Sequence, residues 1–250
     1  MNAPATSTII SRLRPLAARS VILSVLLAAH PPEAAVADLI GFADAFGIQP
    51  MTTRVALSRM VTAGDLDRTD ATYRLSARLL ARQHRQDRLL NARATEPWDY
   101  RWRTVVDVST GDNPGAHTAL RTRLRDQRFG ELREGVWLRP DNLDLDHPAA
   151  PGTSLELLSA VPDTDSTTLA QRLFNLDDWA ETANGLLSAL RDAHTPMERV
   201  TVAAAIVRHL LTDPLMPADL LEDTWPGPAL HATYSDYQHE LADLRDTLRD

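Results

Sequence analysis

Arginine and hydroxyl side chains recur along one predicted helix, between Gln49 and Ala63, at spacings that suit contacts with DNA. Guanidinium groups bind phosphates and guanine edges, and hydroxyls bind phosphates or bases. Apolar residues of the same segment also recur at helical spacing and are expected to face other helices. The pattern therefore predicts one buried face and one face that contacts DNA. The residues expected to contact DNA are Gln49, Thr52, Thr53, Arg54, Ser58 and Arg59, together with Arg68 in the segment that follows.

An ordinary amphipathic helix with its polar face in water has the same periodicity, so this segment alone leaves both interpretations open. The neighbouring segments favour DNA recognition. Residues 17–29 and 36–46 each have the apolar spacing of a helix. Gly64 is expected to end the third helix, and residues 66–75 form two short runs around a polar turn, which predicts a β-hairpin. Three helices followed by a hairpin are the order of a winged helix-turn-helix domain.

Charge is unevenly distributed along the 250 residues. The first 95 residues contain 12 Arg and 7 acidic residues, whereas the whole chain has a net charge of −8. A basic segment on an acidic remainder is typical of a protein that presents one domain to nucleic acid, although chance drift gives the same imbalance. The chain has no Cys and no Lys. These absences exclude thiolate metal sites, cysteine nucleophiles and lysine Schiff bases.

An apolar run at residues 21–29 follows several Arg residues, a pattern shared with secretory signal peptides. The run is too short to span a bilayer. Its removal would also delete the first predicted helix. We therefore expect an uncleaved protein with a cytoplasmic location and no membrane partner.

The remainder of the chain predicts a strand at residues 98–108, a helix at 119–129, and strands at 135–138 and 155–161. This order is typical of a small ferredoxin-like α+β domain, and the chain after residue 165 is predicted to be helical. We therefore predict a multidomain α+β protein. Its predicted parts are a winged helix-turn-helix domain at residues 1–76, a linker helix at 77–95, a ferredoxin-like middle domain at 96–163 and an all-helical domain at 164–250.

Several segments, taken in order, resemble the phenylacetate-degradation repressor (PaaX-like) family. Residues 54–61 resemble its third helix, and residues 98–102 resemble the start of its middle domain. The closest similarity is the Gly-Val-Trp-Leu-Arg-Pro sequence at residues 135–140. Residues 213–221 and 225–227 resemble its helical domain. The resemblance implies a dimeric winged-helix repressor whose inducer, in the family's named member, is an aryl-acyl coenzyme A thioester.

We therefore expect a homodimer that binds an imperfect palindromic operator in double-stranded DNA. Release by an acyl-coenzyme A or another small organic effector is expected to act through the domains outside the DNA-binding one. No cofactor, metal site or catalytic residue is expected. Aromatic and basic side chains of the middle domain are candidates for the effector site, with core packing as the alternative. These candidates are Trp98, Arg101, Trp102, Trp137 and Arg139.

A metal-dependent nuclease is the rival hypothesis. Ferredoxin-like endonucleases of CRISPR adaptation hold a metal with paired Asp residues after the first strand, and here Asp107 and Asp112 flank the end of that strand. Mg²⁺ needs several oxygen ligands and a substrate phosphate. Asp112 has a simpler use as a turn residue between Gly111 and Pro114. We therefore expect no enzymatic activity.

Overall fold

The computed structural model describes residues 13–92, 97–110 and 113–247. The chain forms two compact units, and the mixed α+β composition confirms the predicted fold class. The first unit takes its described residues from Met1–Leu90, Thr182–Leu211 and Pro226–Asp250, and the second from Asn91–Glu181 and Thr212–Trp225. None of the helices in the described ranges is long and apolar enough to cross a membrane.

The N-terminal part of the first unit contains the predicted three helices and hairpin, together with one short additional strand. Its elements are α1 (Ala18–Ala28), β1 (Glu33–Ala35), α2 (Val36–Ala45), α3 (Pro50–Thr62), β2 (Leu66–Thr69), β3 (Thr72–Leu75) and α4 (Ala77–Asn91). The strands form an antiparallel sheet in the order β1-β3-β2. Three residues are too few for a periodic signal, so β1 was not predicted from the sequence.

Local sequence explains where α3 begins and ends. Pro50 occupies the first turn, where its fixed φ suits a helix and its missing N–H is no loss. Gly64 has a φ of 69°, a left-handed conformation that glycine adopts readily. Its N–H donates to the carbonyl of Val61, and the N–H of Asp65 donates to that of Met60. The chain therefore leaves α3 through a C-cap and enters β2 directly.

Apolar side chains from all three helices form the core of this part, and they include Ile22, Leu26, Leu39, Leu57 and Met60. One buried polar residue, Gln83, joins α4 to the end of α1. Its Nε2 donates to the carbonyl oxygens of Leu27 at 2.8 Å and Ala29 at 3.0 Å. These carbonyls have no partner within their own helix, because the last turn of a helix leaves its acceptors open. Gln83 therefore satisfies buried acceptors and fixes the position of α4.

Helices from the C-terminal part of the chain complete the first unit. They are the second half of α7 (Leu176–Arg191), α8 (Pro196–Leu210) and α9 (Gly227–Thr247). The side chain of Thr195 and that of Glu198 cap α8 reciprocally. The C-terminal helices therefore divide between the two compact units, unlike the series of consecutive domains expected from the sequence. The predicted boundaries at residues 76 and 163 stay predictions, and the boundary at 95/96 lies outside the described residues.

The second unit is built on a four-stranded antiparallel sheet in the order β5-β6-β4-β7. Its elements are β4 (Trp102–Asp107), α5 (Pro114–Asp126), β5 (Gly130–Arg133), β6 (Val136–Pro140), β7 (Leu155–Ala160), α6 (Ser166–Phe174), the first half of α7 and a short 3₁₀ helix (Ala218–Leu220). Apolar clusters lie on both faces of the sheet. One includes Trp102, Leu138 and Leu169, and the other includes Val105, Leu120 and Trp137.

Two predictions for this unit were wrong in detail. The first strand begins at Trp102 rather than at residue 98, because Tyr100 has a φ of 63° and interrupts an extended backbone. The helix predicted at 119–129 ends at Asp126, and the chain enters β5 at Gly130. A Cβ at this glycine would lie 2.8 Å from the Cβ of Leu173. The strand can therefore approach α6 only because residue 130 has no side chain.

Candidate nucleic-acid interface

The exposed face of α3 carries most of the side chains that the sequence predicted to contact DNA. Thr52, Arg54, Ser58 and Arg59 are all exposed. Gln49 is also exposed and immediately precedes the helix. Gln49 and Thr52 are three residues apart, and Arg54 and Ser58 are four apart, which places the members of each pair on neighbouring turns. The helix therefore presents several polar and basic side chains to solvent.

Thr53 does not belong to this surface. Its side chain is fully buried, and its Oγ1 donates to the carbonyl of Gln49 at 3.4 Å. The sequence pattern assigned Thr53 to both the apolar stripe and the DNA-contact set, and the structure supports only the first assignment. Burial therefore makes its hydroxyl unavailable to a nucleic acid.

Two apolar residues of this face were missed by the sequence interpretation. Met51 is 67% exposed and Val55 is 43% exposed, four residues apart on α3. A helical wheel could have found them, because both lie off the buried stripe of Thr53, Leu57 and Met60. Exposed methyl groups in a recognition helix can contact thymine methyls in the major groove. The surface thus combines hydrogen-bonding groups with apolar ones.

Arg54 and Arg59 differ from several other arginines of the first unit in having no ion-pair or hydrogen-bond partner among the described residues. By contrast, Arg74 pairs with Glu33 at 2.6 Å. Arg19 donates to Asp65 through Nε at 3.0 Å and Nη2 at 2.8 Å. Because no carboxylate of the described residues neutralises them, the guanidinium groups on α3 are available to phosphates or base edges.

The buried carboxylate of Asp65 holds the C-terminal end of α3 in place. Its side chain is 2% exposed and accepts hydrogen bonds from Arg19 at the start of α1 and from Arg78 on α4. The residue follows the cap at Gly64 directly. Three separate helices are therefore joined at one carboxylate, which fixes the orientation of the exposed face.

The β2–β3 hairpin is the predicted wing, and Arg68 is its candidate contact. Asp70 at its tip has a φ of 50°. The Nε of Arg68 donates to the carbonyl of Asp70 at 3.1 Å, and its guanidinium carbon lies 5.7 Å from the centroid of the Tyr73 ring. Arg68 is exposed, so its terminal nitrogens remain open to solvent. The contacts with Asp70 and Tyr73 therefore hold the Arg68 side chain against the surface of the hairpin.

Three of the candidate effector residues of the middle domain are tryptophans, and all three are buried. Trp98, Trp102 and Trp137 are each less than 5% exposed. The Nε1 of Trp98 donates to the carbonyl of Arg101 at 2.8 Å, and that of Trp102 donates to Ser166 Oγ at 3.1 Å. The indole N–H groups of Trp98 and Trp102 are thus satisfied within the fold. Burial favours core packing over a ligand surface for these residues.

Arg139 is completely buried, and its guanidinium is used inside the fold. It donates to the carbonyl of Pro140 at 2.9 Å, to that of Gln127 at 2.9 Å and to Asn142 Oδ1 at 2.8 Å. Burial, reinforced by the charge of Arg128, lowers the pKa of Arg139 to about 9. The remaining candidate, Arg101, is exposed and donates to Ser159. These residues support the second unit rather than forming a common binding surface.

Asp107, the residue behind the nuclease hypothesis, has both carboxylate oxygens engaged. Oδ1 accepts from the backbone N–H of Ser109 at 3.1 Å and from its hydroxyl at 2.5 Å, and Oδ2 lies 3.0 Å from Nδ1 of His117. Burial alone would raise the pKa of Asp107, but the hydrogen bonds from Ser109 and His117 outweigh it and hold the pKa below its usual value. Within the described ranges, no group of three or more His, Asp or Glu residues could hold a metal ion. Asp112 lies outside the described residues.

Comparisons with known proteins agree with the resemblance seen in the sequence. A family model described as PaaX-like protein matches residues 17–79, which span α1 to the first turn of α4. A solved structure, the uncharacterized protein Rv0674 from Mycobacterium tuberculosis, aligns with a TM-score of 0.81 and 47% sequence identity. The alignment covers 94% of this chain and 99% of that chain. A search of curated proteins found no match. The family-model match confirms the resemblance to the PaaX-like family over residues 17–79, and this family suggests a transcriptional regulator.

Proposed function

We propose that the protein is a ligand-responsive transcriptional repressor with an N-terminal winged helix-turn-helix. In this proposal α3 is the recognition helix and the β2–β3 hairpin is the wing. The protein binds an imperfect palindrome in promoter DNA as a homodimer, so that two recognition helices enter adjacent major grooves. The corresponding location is the cytoplasm, where a bacterial promoter is found.

The observation that carries the proposal is the composition of the exposed face of α3. Arg54 and Arg59 lack partners among the described residues, and they lie beside the exposed Met51 and Val55. An ordinary amphipathic helix needs neither exposed apolar residues nor unpaired arginines on its solvent face. A major-groove helix uses both, because base edges present acceptors and thymine methyls.

Strand order supports a ferredoxin-like plan for the second unit. The helix α5 joins β4 to β5, and β6 lies between these two strands in the sheet. Ferredoxin-like domains have the same sequence of edge and central strands. Here residues 141–154 replace the second crossover helix. We propose that this shortened domain supports the homodimer.

DNA binding is testable by selecting preferred sequences from a random double-stranded library with the full chain. Fluorescence anisotropy then compares the selected DNA with scrambled DNA. Arg54→Ala or Arg59→Ala is expected to cost about 1–3 kcal/mol of binding free energy if the residue contacts a base. A phosphate contact instead weakens binding to both DNAs alike and reduces the salt dependence.

The matched control is Arg123→Ala, an exposed arginine on α5 of the second unit. It removes the same charge from the protein without altering α3. Equal losses in Arg123→Ala and Arg54→Ala would mean that net charge, rather than the α3 surface, governs binding. Selection of no sequence from the library would reject the proposal itself.

A further inference from the structure

A cavity of about 220 Å³ lies within the first compact unit, lined by residues of α1, α4, α8 and α9 and by residues adjoining α1 and α8. None of the residues predicted from the sequence to bind an effector lines this cavity. Much of its lining is aliphatic, with contributions from Leu23, Leu27, Val200, Val207 and Leu241. The cavity belongs to the same unit as α3. A ligand bound there would therefore contact helices that pack directly with the DNA-facing ones.

The charged side chains that line this cavity are all arginines. Arg19, Arg82 and Arg208 line it, and none of its described lining residues is Asp or Glu. Arg82 and Arg208 have no ion-pair or hydrogen-bond partner among the described residues, whereas Arg19 pairs with Asp65. Acidic side chains outnumber basic ones in the whole chain, 34 to 26, whereas the charged residues of the cavity lining are all basic. Unneutralised guanidinium groups around an apolar cavity favour an anionic ligand.

A buried hydroxyl supplies a second, independent indication of a ligand. Tyr237 lines the cavity and is 7% exposed, and its Oη has no hydrogen-bond partner among the described residues. Buried polar atoms are nearly always paired, because an unpaired one loses its hydration without replacement. Burial also raises the pKa of Tyr237, so the hydroxyl stays protonated and available as a donor. A ligand oxygen would satisfy it.

Cavity size limits the apolar part of the ligand. An apolar cavity of about 150 Å³ accepts benzene. The larger volume here leaves room for one ring or a short alkyl chain with a carboxylate. We propose that the cavity binds a small organic acid, with its apolar body against α1 and α8 and its carboxylate held by Arg82 and Arg208.

The same site connects to the recognition helix through Arg19. Its side chain lines the cavity and also donates to Asp65, which follows the end of α3. A carboxylate in the cavity competes with Asp65 for this guanidinium. The acid thereby acts as an effector, because it binds more tightly when Arg19 has released Asp65 than when the two side chains are paired. The effector role rests on the proposed function, whereas acid binding does not.

Calorimetric titration of the full chain with octanoate, benzoate and 3-phenylpropionate tests acid binding, with octan-1-ol as the uncharged match for octanoate. At least one acid is expected to bind once per chain, about tenfold or more tightly than octan-1-ol. The double substitution Arg82→Gln, Arg208→Gln is expected to weaken that binding about tenfold. Arg88→Gln, an exposed arginine of α4 outside the cavity lining, is the control and is expected to change nothing.

Four results would overturn the site: no acid binding up to about 10 mM, equal affinity for octan-1-ol, an equal loss in Arg88→Gln, or full affinity in the double variant. Displacement of octanoate by octanoyl-coenzyme A would overturn the assignment to a free acid. The double variant replaces exposed side chains, and an unchanged thermal unfolding midpoint confirms that it is folded.

DNA binding, measured first without acid, separates this inference from the proposed function. Selective DNA binding with no acid binding leaves the repressor standing and rejects the cavity as an effector site. Acid binding without selective DNA binding rejects the repressor and leaves the binding site standing. The full inference expects the bound acid to release DNA from the wild-type protein but not from the double variant. Unaltered DNA affinity in saturating acid would reject the effector role.

Discussion

The Asp65 carboxylate and its two arginines are expected to respond asymmetrically to substitution. The side chain of Asp65 is 2% exposed, whereas those of Arg19 and Arg78 are 54% and 65% exposed. If the carboxylate is removed, the guanidinium groups remain hydrated at the surface. If both guanidinium groups are removed, a buried carboxylate is left without a partner. The second change therefore costs more free energy than the first.

The expected magnitudes follow from the hydrogen bonds. Asp65→Asn keeps an acceptor oxygen, but its hydrogen bonds to the two arginines no longer involve a negative charge. The free energy of unfolding is therefore expected to fall by about 2 kcal/mol. Either single change, Arg19→Gln or Arg78→Gln, leaves one ion pair and is expected to cost about 1 kcal/mol. The double change leaves the carboxylate unpaired and is expected to cost about 3–5 kcal/mol, more than the sum of the single changes.

Urea denaturation followed by two probes measures these costs. All five Trp residues lie in the second unit, so Trp fluorescence reports that unit, while far-UV circular dichroism reports both. The substitutions are expected to lower the midpoint of the circular dichroism transition that belongs to the first unit, with an unaltered slope. The fluorescence transition is expected to change less. A cost for Asp65→Asn equal to or above that of the double variant would refute the reasoning about an unpaired buried charge.

Four further expectations follow from other parts of the molecule. Gly130→Ala would place a Cβ 2.8 Å from that of Leu173, and is expected to lower stability by about 1–3 kcal/mol, measured by urea denaturation with Trp fluorescence. The lowered pKa of Asp107 means that its carboxylate stabilises the fold above the unfolded-state pKa of about 3.9, and that this contribution is lost as the pH falls through the folded-state pKa. The stability difference between wild type and Asp107→Asn should therefore shrink below about pH 4, and a constant difference would contradict it. Incubation of single- and double-stranded DNA and RNA with Mg²⁺ or Mn²⁺ is expected to give no cleavage; cleavage lost in Asp107→Ala would revive the nuclease hypothesis. Sedimentation at micromolar concentration is expected to give a homodimer, and a monomer that binds one half-site at full affinity would contradict the proposed dimer.

Much of the N-terminal part was predictable because its signals are local. The apolar spacing in α1, α2 and α3 sets which face each helix buries, and Gly64 ends α3 through its own backbone freedom. The exposed arginines of α3 follow from the same periodicity. Thr53 was misassigned because a threonine tolerates either environment, and burial depends on how closely the neighbouring helices approach.

Pairings between distant segments were decided by tertiary structure alone. Tryptophan is common in strands, yet Trp98 precedes β4 in the chain, and its indole packs in the core of the second unit. Arg139 has a sequence context that suits ligand binding, yet its donors find acceptors in Gln127 and Asn142. Sequence spacing does not reveal which acceptors a folded chain brings within hydrogen-bond distance.

The same reason explains why the sequence determined the exposed face of α3 but not the cavity proposed for an organic acid. The proposed recognition surface occupies one continuous helix, so residue spacing alone places Arg54, Ser58 and Arg59 outside its buried stripe. The cavity instead needs Arg82 and Arg208 to line one space from helices far apart in the chain. Only the packing of α1, α4, α8 and α9 around shared apolar side chains brings those charges together, because local spacing shows which face of a helix is buried but not which distant helix packs against it.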